Sequence, residues 1–322
     1  MITVLAGGVG AARFLSGLLQ VVPARGVTAI VNTGDDTVLH GLSISPDLDT
    51  VTYTLAGAID PNRGWGLRDE TWTTMQTLAR FVPVRPASST AAPTWFNLGD
   101  RDIATHFYRT ARLAEGATLT EVTGEIARAF GLTLQLLPMS DQRVATRVTV
   151  VDEGEISFQE YFVRRHHDVA VTGVRFVGAN EAQLTPDAAR ALMYADAVVI
   201  APSNPLVSIG PLRALAGVDT ALAARRDSVV AISPIVGGAA LKGPADRMLE
   251  ELGHEASVVG VARLYAPIAA SLVIDPVDAH LASQVEAAGM RAVIVPSVMS
   301  TPEISAALSR ATLEAAGTTL AG

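Results

Sequence analysis

Four carboxylates fall within fifteen residues where Asn32-Thr33-Gly34-Asp35-Asp36 is followed by Ser45-Pro46-Asp47-Leu48-Asp49-Thr50. Like charges held this close disfavour each other's ionised form. A fold that gathers them therefore needs a cation, a proton or a cationic group to offset the repulsion. The alternative is a solvated turn, because Asp, Asn, Gly and Pro favour turns for local backbone reasons. Position argues for the first reading. The cluster follows the apolar run Val27-Thr28-Ala29-Ile30-Val31, and the glycine-rich segment Leu5-Ala6-Gly7-Gly8-Val9-Gly10-Ala11-Ala12-Arg13 follows an earlier one.

A glycine-rich turn between a strand and a helix leaves backbone N–H groups free to meet a phosphate. Here the full G-x-G-x-x-G spacing is missing and no G-K-[ST] is present, so a turn of purely structural use is the competing reading. Two further loops have the same setting. Ala201-Pro202-Ser203-Asn204-Pro205, leading to Ser208-Ile209-Gly210-Pro211, follows Ala197-Val198-Val199-Ile200; Ser233-Pro234-Ile235-Val236-Gly237-Gly238 follows Val229-Val230-Ala231-Ile232. In an open α/β sheet, ligands sit outside the carboxyl ends of the strands. The loops at 7–13, 32–36, 202–211 and 233–238 are expected to converge on that edge.

The elements that must position these loops are short β-branched runs alternating with helical patterns, the mark of a mostly parallel sheet with helices on both faces. Further strands are expected at Ser257-Val258-Val259, 272–274 and 292–295, with helices at 10–20, 209–224, 244–252, 278–288 and 302–315. The rhythm breaks between 60 and 175. Helical stretches at 68–80, 102–113 and 119–129 precede Arg147–Val151 and Ile156–Gln159, two β-rich runs joined by an acidic turn containing glycine, which predicts a hairpin. The expected architecture is a Rossmann-like α/β fold: one domain over 1–322, with an α+β insertion or cap at 60–175 after the second strand.

Composition excludes several classes of function. The chain has 322 residues, 49% of them hydrophobic, which suits a globular enzyme and argues against extensive disorder. It has no cysteine, so disulfides, thiolate catalysis and Cys-ligated metals are excluded; a reducing cytoplasm fits. No apolar stretch reaches the roughly 18–20 residues needed to cross a bilayer. The apolar N-terminus, without a basic residue before Arg13, reads as strand and turn instead of a secretory signal. The net charge is −8 and Lys242 is the only lysine, so nucleic acid is not expected as a partner. Any bound phosphate must be met by arginine, backbone N–H groups or a divalent cation.

Asn97-Leu98-Gly99-Asp100-Arg101-Asp102 with Thr105-His106 forms another polar knot. Asp100 or Asp102 suits a helix cap, and His106, one turn from Asp102, suits a local hydrogen bond better than catalysis. His166-His167 beside Arg164 and Arg165 reads as surface. Trp65 and Trp72 form either an aromatic wall or part of the core.

Taken in order, several stretches carry a resemblance. They are Gly-Gly-Val-Gly with Arg13-Phe14, the runs at 32–36 and 45–50, Arg63-Gly64-Trp65-Gly66, the run at 98–106, Leu137-Pro138-Met139-Ser140-Asp141, Phe158-Gln159-Glu160, and Ala-Pro-Ser-Asn-Pro with Ser-Ile-Gly-Pro at 201–211. Over nearly the whole chain this order resembles the 2-phospho-L-lactate transferase family of coenzyme F420 biosynthesis. The alanine- and arginine-rich composition suggests its actinobacterial branch, where the transferred group is enolpyruvyl phosphate.

The resemblance implies transfer of a phosphoenolpyruvyl or 2-phospho-L-lactyl group from a guanosine diphosphate-type donor to the ribityl hydroxyl of the deazaflavin FO, releasing GMP. It also implies Mg²⁺ dependence and a homodimer. The family's deazaflavin-contacting aspartate matches Asp49, and a second contact matches Asn97, where archaeal relatives carry lysine. Ala11 stands where relatives have glycine. On this reading Asp35 and Asp49 supply metal ligands, and Asp49, Asp35 and Asp36 form the catalytic group. Trp65 walls the deazaflavin, while Gly8, Val9, Gly10, Ala11, Arg13, Ser203, Asn204 and Ser208 hold the nucleotide. The competing readings are a nicotinamide-dependent oxidoreductase and a non-catalytic deazaflavin or nucleotide carrier.

Overall fold

The computed structural model describes residues 1–318. Its centre is a seven-stranded sheet built from β1 (Ile2–Ala6), β2 (Val27–Val31), β3 (Gln135–Pro138), β4 (Ala197–Ile200), β5 (Val229–Ile232), β6 (Ser271–Ile274) and β7 (Arg291–Ile294). The strands lie in the order β3-β2-β1-β4-β5-β6-β7, and every neighbouring pair is parallel. Parallel pairing puts every carboxyl end on one edge. The chain builds outward from β1 to β3, then crosses back to place β4 on the other side of β1. This reversal opens a crevice between β1 and β4, where such sheets bind ligands.

Burial on both faces explains the near-continuous apolar strands. Side chains alternate across the sheet. Leu5, Ile30, Val198 and Ile200 enter one core, while Val4, Ala6, Ala29, Val31 and Val199 enter the other. Each large aliphatic side chain removed from water contributes about 1.5–3 kcal/mol. In the second core α1 (Gly8–Leu18) packs against both α2 (Pro46–Leu55) and the C-terminal helix Pro302–Ala315. The ladder continues one residue past the strands, Asn32 N–H bonding Ala6 O at 2.9 Å and Ala201 N–H bonding Leu5 O at 3.0 Å. The loops after β1, β2 and β4 thus leave the sheet at one level.

The α+β material after β2 is present but is not one block. Leu119–Ala129, opened by a Thr118–Glu121 capping box, leads into β3, which joins the edge of the main sheet beside β2. Four residues ending in Pro138 are too short for a clear alternating pattern, and an edge position tolerates the proline. The predicted hairpin forms with Arg147 opposite Ser157, and Val171–Val177 adds a third strand. The expected strand at 257–259 is a helix instead. Ser257 caps Val258–Tyr265 by accepting hydrogen bonds from Val259 N–H at 3.1 Å and Gly260 N–H at 3.2 Å. Val258, Val261, Ala262 and Tyr265 repeat at helical spacing and are buried. The expected helix at 209–224 breaks at Gly217, whose φ of +84° few other residues adopt.

Candidate active site

A small hairpin brings the two acidic runs together. Thr37–Leu39 pairs antiparallel with Leu42–Ile44 across His40 and Gly41, both at positive φ, the backbone that a tight two-residue turn requires. The chain therefore returns on itself, and Ser45 Oγ donates to Asp36 Oδ2 at 2.7 Å. Pro46 then opens α2, with Asp47 and Asp49 in its first turn, where the helix dipole favours negative charge.

Asn32, at the end of β2, joins three of these residues. Its amide nitrogen donates to Asp35 Oδ2 at 3.1 Å and to Asp47 Oδ2 at 3.0 Å, while its Oδ1 accepts from Gly34 N–H at 2.8 Å. The three-stranded sheet closes over this loop: Thr146 N–H bonds Gly34 O at 2.7 Å, and Gln159 Nε2 bonds Asp35 O at 2.9 Å. One oxygen each of Asp35 and Asp36 is buried without a protein partner. Burial, with the charges of Asp47 and Asp36, outweighs the Thr146 hydroxyl and the Asn32 amide and holds the Asp35 carboxyl well above the usual range. Burial pushes Asp36 up to about 8 and Asp47 to about 6, the latter partly countered by Asn32 and the Gly8 amide. Unpaired buried carboxylate oxygens cost desolvation energy unless a proton or cation meets them.

The glycine-rich loop lies against this group. Asp47 Oδ2 would stand 3.1 Å from a Cβ on Gly7, whose other close neighbour is Ser208. Ser203 Oγ donates to Gly7 O at 2.7 Å. A Cβ on Gly10 would collide with the Pro202 carbonyl. The loops after β1 and β4 thus pack together at the crevice, with Gly8, Val9 and Gly10 partly open and Ala11 buried behind them. Asn204 Oδ1 accepts from Leu206 N–H at 2.9 Å, which stiffens the second loop. Arg13 is exposed on α1.

Asp49 belongs to a second buried cluster that reaches the helix α3 (Asp100–Ala114). Arg109 Nη1 donates to Asp49 Oδ2 at 3.2 Å and Nη2 forms an ion pair with Oδ1. His106 Nδ1 lies 3.7 Å from Asp49 Oδ2, and its Nε2 lies 3.4 Å from Asp102 Oδ2. Tyr53 OH donates to Asp102 Oδ1 at 2.6 Å. Burial alone would raise the Asp102 carboxyl, but His106 and Tyr53 outweigh it and hold the group below its usual value. Asp49, Asp102 and His106 are the one set of three potential metal ligands within 4.8 Å of one another among the described residues. Arg109 already engages both oxygens of Asp49, so this set is balanced by a guanidinium.

The remaining expected residues, Trp65 and Asn97, lie at the surface. Trp65 is 42% exposed and tilts against Trp72, ring centroids 5.9 Å apart, with the Arg63 guanidinium over both rings. Asn97 is exposed just before α3. Glu70 accepts from Arg101 N–H at 2.8 Å and Asp102 N–H at 3.0 Å, and Asp100 accepts from Thr73 N–H at 2.9 Å. The cap of α3 is therefore supplied by Glu70, while Asp100 ties the helix to the segment before it.

Comparison with known proteins places the chain among relatives of one family. The profile of the 2-phospho-L-lactate transferase CofD family matches residues 2–307. A phosphoenolpyruvate transferase from Streptomyces griseus is 44% identical, covering 98% of each chain. A protein of the same name from Mycolicibacterium smegmatis is 40% identical over 99% of each. Among solved structures, a member of the UPF0052 family from Bacillus halodurans superposes with a TM-score of 0.60 at 14% identity, covering 97% of this chain and 98% of its own, a likeness of fold alone. The chain belongs to the 2-phospho-L-lactate transferase CofD family.

Proposed function

We propose that the protein transfers a phosphoenolpyruvyl or 2-phospho-L-lactyl group from a guanosine diphosphate-linked donor to the ribityl hydroxyl of the deazaflavin FO, releasing GMP. The observation that carries the reading is the pair of unpartnered carboxylate oxygens on Asp35 and Asp36, in the loop after β2 that Asn32 ties to Asp47, whose carboxylate lies against the Gly7–Gly8 turn. The names of the Streptomyces and Mycolicibacterium relatives favour the enolpyruvyl donor.

The residues present fit Mg²⁺, a hard cation that takes one or two carboxylates and completes its shell with substrate phosphate oxygens. Asp35 has a free oxygen of the right kind. Asp49 has both oxygens on Arg109, which favours an acceptor-side role for it over metal ligation. When bound, the ion neutralises charge on the diphosphate and polarises the phosphorus under attack. The backbone N–H groups at 8–11 and the Ser203–Ser208 loop hold the donor's phosphates. The acceptor hydroxyl attacks the phosphorus that carries the three-carbon acid, and the bond to the GMP oxygen breaks. Asp36, steadied by Ser45, takes the hydroxyl proton when ionised, which its raised value of about 8 confines to mildly basic pH. Fixing the hydroxyl in line supplies much of the remaining acceleration.

The test is to combine protein, Mg²⁺, FO and guanylylated phosphoenolpyruvate or phospholactate and assay GMP. Folded protein that releases none with either donor would refute the reading.

A further inference from the structure

We propose that Arg109 is the positioning residue for Asp49, its guanidinium fixing the plane in which the carboxylate meets the acceptor. The inference rests on the transferase reading above and assigns to that site a residue on a separate helix.

Arg109 is 2% exposed. Its two terminal nitrogens take one oxygen each of Asp49. A bidentate guanidinium–carboxylate pair fixes orientation as well as charge, which a single ammonium does not. The fork is itself braced. Nη1 lies 3.2 Å from His106 Nδ1, the opposite edge of that ring faces Asp102, and Asp102 is anchored by Tyr53 OH at 2.6 Å and by its own N–H on Glu70 at 3.0 Å. Tyr53 and Asp49 share α2, and His106, Asp102 and Arg109 share α3, so the chain of contacts closes between two helices.

Packing alone does not account for this arrangement. Apolar residues of equal volume would fill the space without the cost of desolvating two charges. What the fork adds is a fixed carboxylate direction. Asp49 lies one turn into α2, whose cap Ser45 holds Asp36, so its orientation is set in the same frame as the proton acceptor.

Steady-state kinetics test the assignment, with acceptor and donor varied separately and thermal unfolding recorded for each variant. Wild-type turnover is measured first; its absence overturns the proposed reaction and this inference with it. Arg109→Lys keeps the charge and loses the fork. It is expected to lower kcat/KM for the acceptor by about tenfold or more while leaving the donor KM within about twofold. The Asp49→Asn/Arg109→Met double variant is expected to be no worse than Asp49→Asn alone, within about threefold, because the arginine acts through the aspartate. Tyr53→Phe removes only the outer brace. It should cost a few-fold in acceptor kcat/KM, and nothing further in an Asp49→Asn background, and it decides the matter if Arg109→Lys does not fold. Unchanged acceptor kinetics in a folded Arg109→Lys, or losses that multiply in the double variant, would overturn the assignment even with an active wild type.

Discussion

Two groups of buried and half-buried carboxylates lie on α2, its entry loop and the facing α3, and they differ in how their charge is met. Around Asp49 and Asp102, the protein supplies Arg109, His106 and Tyr53. Around Asp35, Asp36 and Asp47 it supplies amides and the hydroxyls of Ser45 and Thr146, with Arg109 reaching Asp36 only at longer range, and one oxygen each of Asp35 and Asp36 has no hydrogen-bond partner. The first group meets its carboxylates with its own cation, although burial still raises Asp49 and leaves His106 Nε2 and Arg109 Nε without a hydrogen-bond partner. The second is built to be completed by something else, which is the difference expected between a positioning device and a reaction centre.

Removing one member of each group should separate them most sharply. Asp35→Asn is expected to cut GMP release on the order of a thousandfold, about 4 kcal/mol of barrier, while far-UV circular dichroism and the unfolding midpoint at pH 8 are kept or improved. Arg109→Ala should do the opposite to the fold. It leaves a buried carboxylate uncompensated and is expected to cost about 3–5 kcal/mol in urea unfolding.

Acid and base should also distinguish the groups in protein stripped of divalent ions. A carboxyl with a folded pKa above its unfolded value binds its proton more tightly when folded. Its stabilisation is full below the unfolded value, near ~4, and is lost as pH rises through the folded value. For Asp47 and Asp36 the loss runs through about 6 and about 8. Carboxyls lowered by folding, such as Asp102, lose their contribution only at acid pH. Between pH 5 and 8.5 the unfolding temperature should therefore fall, by a few degrees at this chain length. Asp36→Asn should flatten that slope, and a slope unchanged by the substitution would contradict the bare-carboxylate account.

The smallest expected effect is steric. Gly10→Ala pushes a methyl group against the Pro202 carbonyl and should cost about 1–3 kcal/mol by displacing one loop from the other. A variant as stable as the parent would mean that the two loops are not in register at the crevice.

Much of this architecture is legible in the amino-acid sequence. Alternating apolar runs mark β1, β2, β4, β5, β6 and β7, and parallel pairing then puts the four loops on one edge. The acidic cluster is visible because its members are close in sequence. Its division is not. Asp49 is separated from the rest by Arg109, sixty residues later and from another helix. The spacing of Asp102, His106 and Arg109 by four and then three residues is the available signal, since it lines one helical face. β3 is hidden by its shortness, and Ser257 misleads because two valines after a serine suit a strand or a capped helix equally. Asn32, which joins Asp35 to Asp47, looks like any turn asparagine.

Divalent-ion binding addresses the central claim most directly. Mn²⁺, followed by electron paramagnetic resonance on folded protein with the guanosine-linked donor present, should bind wild type and Arg109→Lys alike and fail to bind Asp35→Asn at the same concentrations. Equal binding to Asp35→Asn, or loss of binding only when Asp49 is replaced, would contradict the assignment of the bare carboxylates to the cation.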